Sequence, residues 1–224
     1  MSEPDLPPQP NPQPNPQHTL RYAAWVAVAV ALVCVGAWTI YLGHIPRIGP
    51  LTRETGDSLI QSKFTLTDQT GRRVTEADYA GRWQLVYFGY TNCPDQCPTT
   101  LAYMARVMDL LGDKADQVAP LFITVDPKRD TVAVLAAFVA AFSPRLIGLT
   151  GSEAETAAAA HAFRVFYEPS PDAKAPDGYL MAHSGYIYLM TPRGKYEAVY
   201  LENGETGEAL ASDILMHIAK GDPS

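Results

Sequence analysis

Beyond residue 60 the chain alternates between short uninterrupted apolar runs and longer stretches with helical spacing. The strongest run is Gln84-Leu85-Val86-Tyr87-Phe88-Gly89, and its length and aromatic, branched content predict a central strand. Further runs predict buried strands over 121–125 and 146–149. Leu101, Met104, Val107, Leu110 and Leu111 recur at helical spacing and predict a helix over 99–111. Two more helices are expected over 131–142 and 152–163, the latter Ala-rich and capped by Ser152. Residues 64–68 and 73–74 read as a hairpin around Gly71. Residues 184–190 and 197–201 alternate as a strand pair around Pro192-Arg193-Gly194, and a closing helix is expected over 205–220. Strands and helices in alternation, followed by a hairpin and a helix, predict an α/β fold without internal repeats.

The first sixty residues have a different pattern. In residues 1–20, seven prolines from Pro4 to Pro16 alternate with Gln and Asn, leaving almost nothing apolar to bury. This predicts a disordered tail. Residues 21–43 contain the charge-free run from Tyr22 to Leu42. A helix of that length spans roughly 30 Å, the thickness of a bilayer's hydrocarbon core. Tyr22 and Trp25 at one end and Trp38 and Tyr41 at the other fit the two interfaces. The run is longer than the apolar part of a cleaved signal peptide and lacks a basic start, so an uncleaved transmembrane signal anchor is expected. Arg21 on one side and Arg47 and Arg53 on the other do not assign its orientation. Cys34, inside the run, reads as a small hydrophobe. Residues 44–59 form a Pro- and Gly-containing linker, and residues 60–224 are enough for one core.

A net charge of −7 argues against nucleic acid as a partner. Walker-type, GxGxxG and HExxH motifs are absent. Three cysteines are too few for a disulfide scaffold, so two thiols in the globular part point to chemistry. These are Cys93 and Cys97, in Tyr90-Thr91-Asn92-Cys93-Pro94-Asp95-Gln96-Cys97-Pro98-Thr99, between the central strand and the helix after it. Pro98 suits the first position of that helix, which would put Cys97 at its N-terminal edge, where thiolate is favoured over thiol. The pair can form a disulfide, since its Cβ atoms need only approach within about 3.5–4.5 Å. It has one residue more between the thiols than a redox CxxC pair, which leaves room for an ion between the sulfurs. Two thiolates select copper(I), zinc or iron–sulfur chemistry. Zinc or a cluster would need more cysteines, whereas two sulfurs and one imidazole suit copper.

Among the histidines, His18 is in the tail and His44 beside the apolar run. His161 and His217 read as ordinary helical histidines. His183, at the expected start of a strand after a Pro-, Gly- and Asp-rich loop, is the candidate third ligand.

The run from Tyr87 to Leu101, the block Val125-Asp126-Pro127-Lys128-Arg129-Asp130-Thr131, and His183-Ser184 with Tyr188-Leu189 together resemble the signature blocks of the Sco/SenC copper chaperones. Phe64-Thr65-Leu66-Thr67-Asp68 and Gly71 fit as well, and the resemblance extends over about 64–220 with the anchor before it. It implies a thioredoxin-like domain behind a single transmembrane helix. It implies copper held by Cys93, Cys97 and His183, with Cys93 and Cys97 also a redox-active pair. The implied partner is the copper-binding subunit of cytochrome c oxidase, with other copper chaperones or thioredoxin-like reductants beside it. Many members carry an acidic residue before the histidine, where this chain has Ala182. Orientation of the imidazole would then fall to a backbone carbonyl or to Asp126, expected near the site.

Two functions follow. One is a membrane-anchored copper chaperone passing its ion on by ligand exchange. The other is a thiol–disulfide oxidoreductase that reduces the oxidase's copper-binding cysteines and needs no histidine. A peroxiredoxin-type peroxidase lacks its Pro–Thr–Cys spacing here. The tail does not resemble a mitochondrial transit peptide, so the expected location is a bacterial inner membrane with the domain in the periplasm.

Overall fold

Strand β1 (Thr65–Asp68) pairs antiparallel with β2 (Arg73–Thr75). Asp68 closes the turn between them, its carboxylate accepting from the backbone N–H groups of Thr70 and Arg72 at 2.9 and 3.0 Å. The computed structural model describes Leu32, residues 59–202, Gly204 and residues 206–221. The expected tail, transmembrane anchor and linker therefore lie outside the described residues, apart from Leu32 and Leu59. Among the described residues no helix is long and apolar enough to cross a membrane.

All seven residues of β3 (Trp83–Gly89) are buried, as are all seven of β4 (Val118–Thr124). Such runs belong in the middle of a sheet covered on both faces. Helix α1 (Gln96–Leu110) connects them, and β3 and β4 run parallel with Gly89 opposite Thr124. Helix α2 (Val132–Ala140) leads to β5 (Ile147–Thr150), which is parallel to β4 and antiparallel to β1. Helix α3 (Glu153–Ala162) follows. The Ser152 hydroxyl accepts from the N–H of Glu155, whose carboxylate accepts from the N–H of Ser152, a capping box that fixes where the helix starts.

Strands β6 (Tyr167–Pro171) and β7 (Tyr179–His183) form a separate antiparallel pair. Then β8 (Tyr186–Met190), β9 (Tyr196–Leu201) and α4 (Gly207–Lys220) complete the domain. The main sheet has the order β2-β1-β5-β4-β3-β8-β9. Helix α1 packs against α4, and α2 lies against β5. Phe88, Phe163 and Tyr188 form one aromatic cluster of the core, with ring centroids 5.3–6.5 Å apart.

The α/β expectation is met. Three local expectations are corrected. Helix α1 begins at Gln96, so Pro98 is its third residue and Cys97 its second. Pro is tolerated there because the first N–H groups of a helix have no intrahelical partner. The stretch read as a loop before His183 holds the β6–β7 pair. Its Tyr-Glu-Pro-Ser-Pro strand resembles no central strand because it pairs on one side only, where Pro is admitted. His183 closes β7 and does not start a strand.

Candidate metal centre

Strands β3, β4 and β5 run parallel, and the loops after β3 and β4 meet at their carboxyl ends, where binding sites of open α/β sheets lie. The first of these loops carries the thiols. Asp130, from the second, holds it in place. Fully buried, its carboxylate accepts from the Thr91 N–H at 3.0 Å, the Thr91 hydroxyl at 2.6 Å and the Thr124 hydroxyl at 2.6 Å. Burial pushes the Asp130 pKa up more than these three bonds lower it.

Cys93 is half-buried and Cys97 fully buried, and both are unlinked thiols. The Cys93 sulfur accepts from the Cys97 backbone N–H at 3.3 Å, acting as a cap on the first turn of α1. The Cys97 thiol, donating to Cys93, is the main cause of a Cys93 pKa far below the usual thiol range. Burial opposes it, while His183 and the backbone N–H groups of Cys97 and Asp95 reinforce it. Cys97 is pushed upward, by that same hydrogen bond and then by burial. Thiolate is therefore favoured at Cys93, the loop residue, chiefly by the Cys97 thiol and with the Cys97 N–H in support. The Cys97 sulfur is packed so closely on β3 that a Cβ at Gly89 would lie 2.9 Å from it.

His183 arrives from β7, 86 positions further along, with Nε2 3.6 Å from the Cys97 sulfur. Its Nδ1 lies 3.2 Å from the carbonyl oxygen of Ser184. With Nδ1–H donating there, the Nε2 lone pair faces the thiols. Burial works against a charged imidazole, but the contacts with Cys93 and the Ser184 carbonyl, with the charge of Glu202, leave its pKa raised. The edges of Tyr87 and Tyr90 flank the ring, at 6.1 and 5.9 Å between centroids. The backbone carbonyl, one of the two orienting groups left open by the sequence, is the one in place. Asp126 instead forms an ion pair with Arg129 and accepts from the Tyr179 hydroxyl at 3.1 Å. Arg129 also stacks on the Tyr179 ring at 3.8 Å and donates to the Tyr179 carbonyl. This clamp fastens the start of β7 to the loop after β4, and so places His183 at its end.

The structure thus brings Cys93, Cys97 and His183 together. Among the described residues no group of three or more His, Cys, Asp or Glu side chains stands in ready coordination geometry. The Cys97 sulfur lies 3.6 Å from the His183 ring nitrogen, and the Cys93 sulfur 3.3 Å from the Cys97 backbone nitrogen. His217 lies elsewhere, 2.9 Å from Glu197 and 3.4 Å from Asp213, with its ring against Trp83. His161 is exposed on α3, while His18 and His44 fall outside the described residues. Sequence reasoning missed Glu202, whose carboxylate accepts from the buried Tyr87 hydroxyl at 2.8 Å. No motif marks it, because it meets Tyr87 across 115 positions. It also missed the role of Asp130, for which a second aspartate in the block after β4 was a signal. Chemically, the arrangement offers two sulfurs and an imidazole nitrogen to a soft cation, or two thiols poised to join.

Residues 52–219 match the SCO1/SenC family model. The human mitochondrial SCO1 homolog is 36% identical over 203 residues, 87% of this chain and 67% of the relative. The mouse SCO1 homolog is 39% identical over 74% of this chain and 58% of its own length. The chain thus spans about three fifths to two thirds of these relatives. The crystal structure of Arabidopsis thaliana ScoI with copper bound superposes with a TM-score of 0.67 at 37% identity, covering 72% of this chain and 99% of that one. BsSco, described as having a disulfide switch and as a member of the Sco family of cytochrome c oxidase assembly proteins, superposes at 0.56 with 27% identity, covering 70% and 92%. These likenesses agree with the thioredoxin-like α/β fold that the resemblance implied. The chain belongs to the SCO1/SenC family.

Proposed function

We propose that this chain is a copper chaperone whose cargo is held by the Cys93 and Cys97 sulfurs and the His183 Nε2, and passed to the copper-binding subunit of cytochrome c oxidase. The observation that carries the proposal is the convergence of His183 on the thiol pair, with Nε2 3.6 Å from the Cys97 sulfur. A dithiol reductant has no need of that imidazole, whereas a soft ion with two sulfurs gains a third donor. The copper-bound Arabidopsis ScoI supports the same reading. Cys93, already favoured as thiolate and half-exposed, takes the ion first, and Cys97 gives up its proton as the second sulfur binds. Few and partly accessible ligands suit hand-over by exchange. The run from Tyr22 to Leu42 would anchor the chain in a bacterial inner membrane with the domain in the periplasm.

A second reading, reduction of a partner's disulfide, is favoured by the hydrogen-bonded thiol–thiolate pair and by the disulfide switch described for BsSco. Copper(I) titration under reducing conditions separates the two. Stoichiometric binding lost in Cys93→Ser and strongly weakened in His183→Ala is expected. Wild-type binding by His183→Ala would reject the three-ligand site, and full disulfide-reducing activity in that variant would favour the reductant.

A further inference from the structure

The structure assigns Glu202 as a positioning residue for Cys97, acting by turning the Tyr87 hydroxyl away from the Cys97 sulfur. Glu202 follows the last residue of β9, and its N–H donates to the Gly185 carbonyl at 3.2 Å. Its carboxylate rests directly on the Gly185 backbone, where a Cβ would stand 2.4 Å from Oε1 and 2.7 Å from Cδ. Gly185 does not have a positive φ, so its missing side chain serves this approach and not a turn. From that seat one carboxylate oxygen accepts from Tyr87 on β3 at 2.8 Å and from Thr100 on α1 at 3.4 Å. The Tyr87 hydroxyl is also 3.8 Å from the Cys97 sulfur.

A phenol has one hydrogen. Offered a carboxylate oxygen at 2.8 Å and a thiol sulfur at 3.8 Å, it stays with the carboxylate, because charge-assisted bonds are the stronger. The contact Tyr87 makes to the Cys97 sulfur is therefore held long and weak, at 3.8 Å. Without Glu202 the hydroxyl is free to turn fully to Cys97 and donate to it. A hydrogen bond donated to that sulfur stabilises the dithiol over the disulfide, and stabilising the reduced form makes a pair more oxidising. Glu202 thus keeps the Cys93–Cys97 pair reducing.

This inference rests on Cys93 and Cys97 being the working thiols, and its test uses metal-free protein, so it fails or stands separately from copper binding. The full chain is equilibrated in glutathione buffers at fixed pH. Oxidation joins the two sulfurs, passing two electrons to glutathione disulfide with release of the Cys97 proton. Reduction breaks the bond, leaving a thiol at Cys97 and a thiolate at Cys93. Trapped thiols are counted by mass after alkylation. Glu202→Ala is expected to lower the oxidation constant about tenfold, equivalent to about 30 mV. Glu202→Gln, whose amide oxygen still accepts from Tyr87, is expected to stay within about twofold of wild type. Gly185→Ala, which displaces the carboxylate but keeps its charge, is expected to behave like Glu202→Ala. In a Tyr87→Phe background, Glu202→Ala is expected to have no further effect. The inference is overturned by an unchanged constant in Glu202→Ala, by a shift as large in Glu202→Gln, or by one that persists without the Tyr87 hydroxyl. If Glu202→Ala does not fold, Gly185→Ala decides alone, and an unchanged constant there overturns the inference.

Discussion

Replacing Asp130 should weaken both the domain and its thiol loop, and the two parts of the effect can be separated. The carboxylate takes three hydrogen bonds, from the Thr91 N–H and the Thr91 and Thr124 hydroxyls, at 2.6–3.0 Å and out of solvent. Bonds to a charged acceptor contribute about 1.5–3 kcal/mol each, so the gross contribution of the three is about 4.5–9 kcal/mol. The raised pKa of Asp130 means that burial of its charge works against this sum. Asp130→Ala removes the charge but strands the Thr91 N–H, and a net loss of about 3 kcal/mol is expected. Asp130→Asn keeps one acceptor oxygen and also loses the charge, so about 1 kcal/mol is expected. Urea unfolding followed by circular dichroism measures both. With slopes of about 1–3 kcal/mol/M, the Ala variant should move the midpoint by roughly 1–3 M. Because Thr91 stands two residues before Cys93, copper affinity should fall in the same order. An Ala variant within about 0.5 kcal/mol of wild type, or an Asn variant worse than Ala, would refute the reasoning.

Alkylation should single out Cys93. An ordinary thiol loses about a hundredfold in rate between pH 7.5 and 5.5, whereas Cys93 should lose less than about threefold and Cys97 should remain largely unmodified, as peptide mapping would show. Gly89→Ala would push a methyl group to within 2.8 Å of Phe122 and 2.9 Å of the Cys97 sulfur, so a loss of about 1–3 kcal/mol in thermal or urea unfolding is expected, with weakened copper binding. Glu155 has its pKa lowered to about 2, chiefly by Arg73 and then by the Ser152 N–H. A folded pKa below the unfolded one gives stability that is present above about pH 4.5 and lost as pH falls towards 2, so Glu155→Gln should destabilise at pH 7 and become neutral near pH 2 in urea titrations.

What the sequence revealed depended on how local the signal was. The buried run of β3 and the capping box of α3 are written in adjacent residues, and both elements fell where expected. The Cys93–Cys97 pair was visible as a spacing, and His183 as the one histidine left once the others had been assigned elsewhere. Less visible was β6, whose two prolines suit a strand paired on one side only. Which thiol is the stronger acid was not legible, because it depends on how the Cys97 thiol and N–H meet the Cys93 sulfur. Glu202 was invisible, since a glutamate at a strand end is ordinary until Gly185 and Tyr87 are brought beside it. For Glu202 the missing information was a contact between segments far apart in the chain.

X-ray absorption on the copper(I)-loaded protein tests the central claim most directly. A first shell of two sulfurs and one nitrogen is expected, reduced to sulfur alone in His183→Ala loaded at excess copper. A shell without nitrogen in the wild type, or one unchanged by His183→Ala, would contradict it.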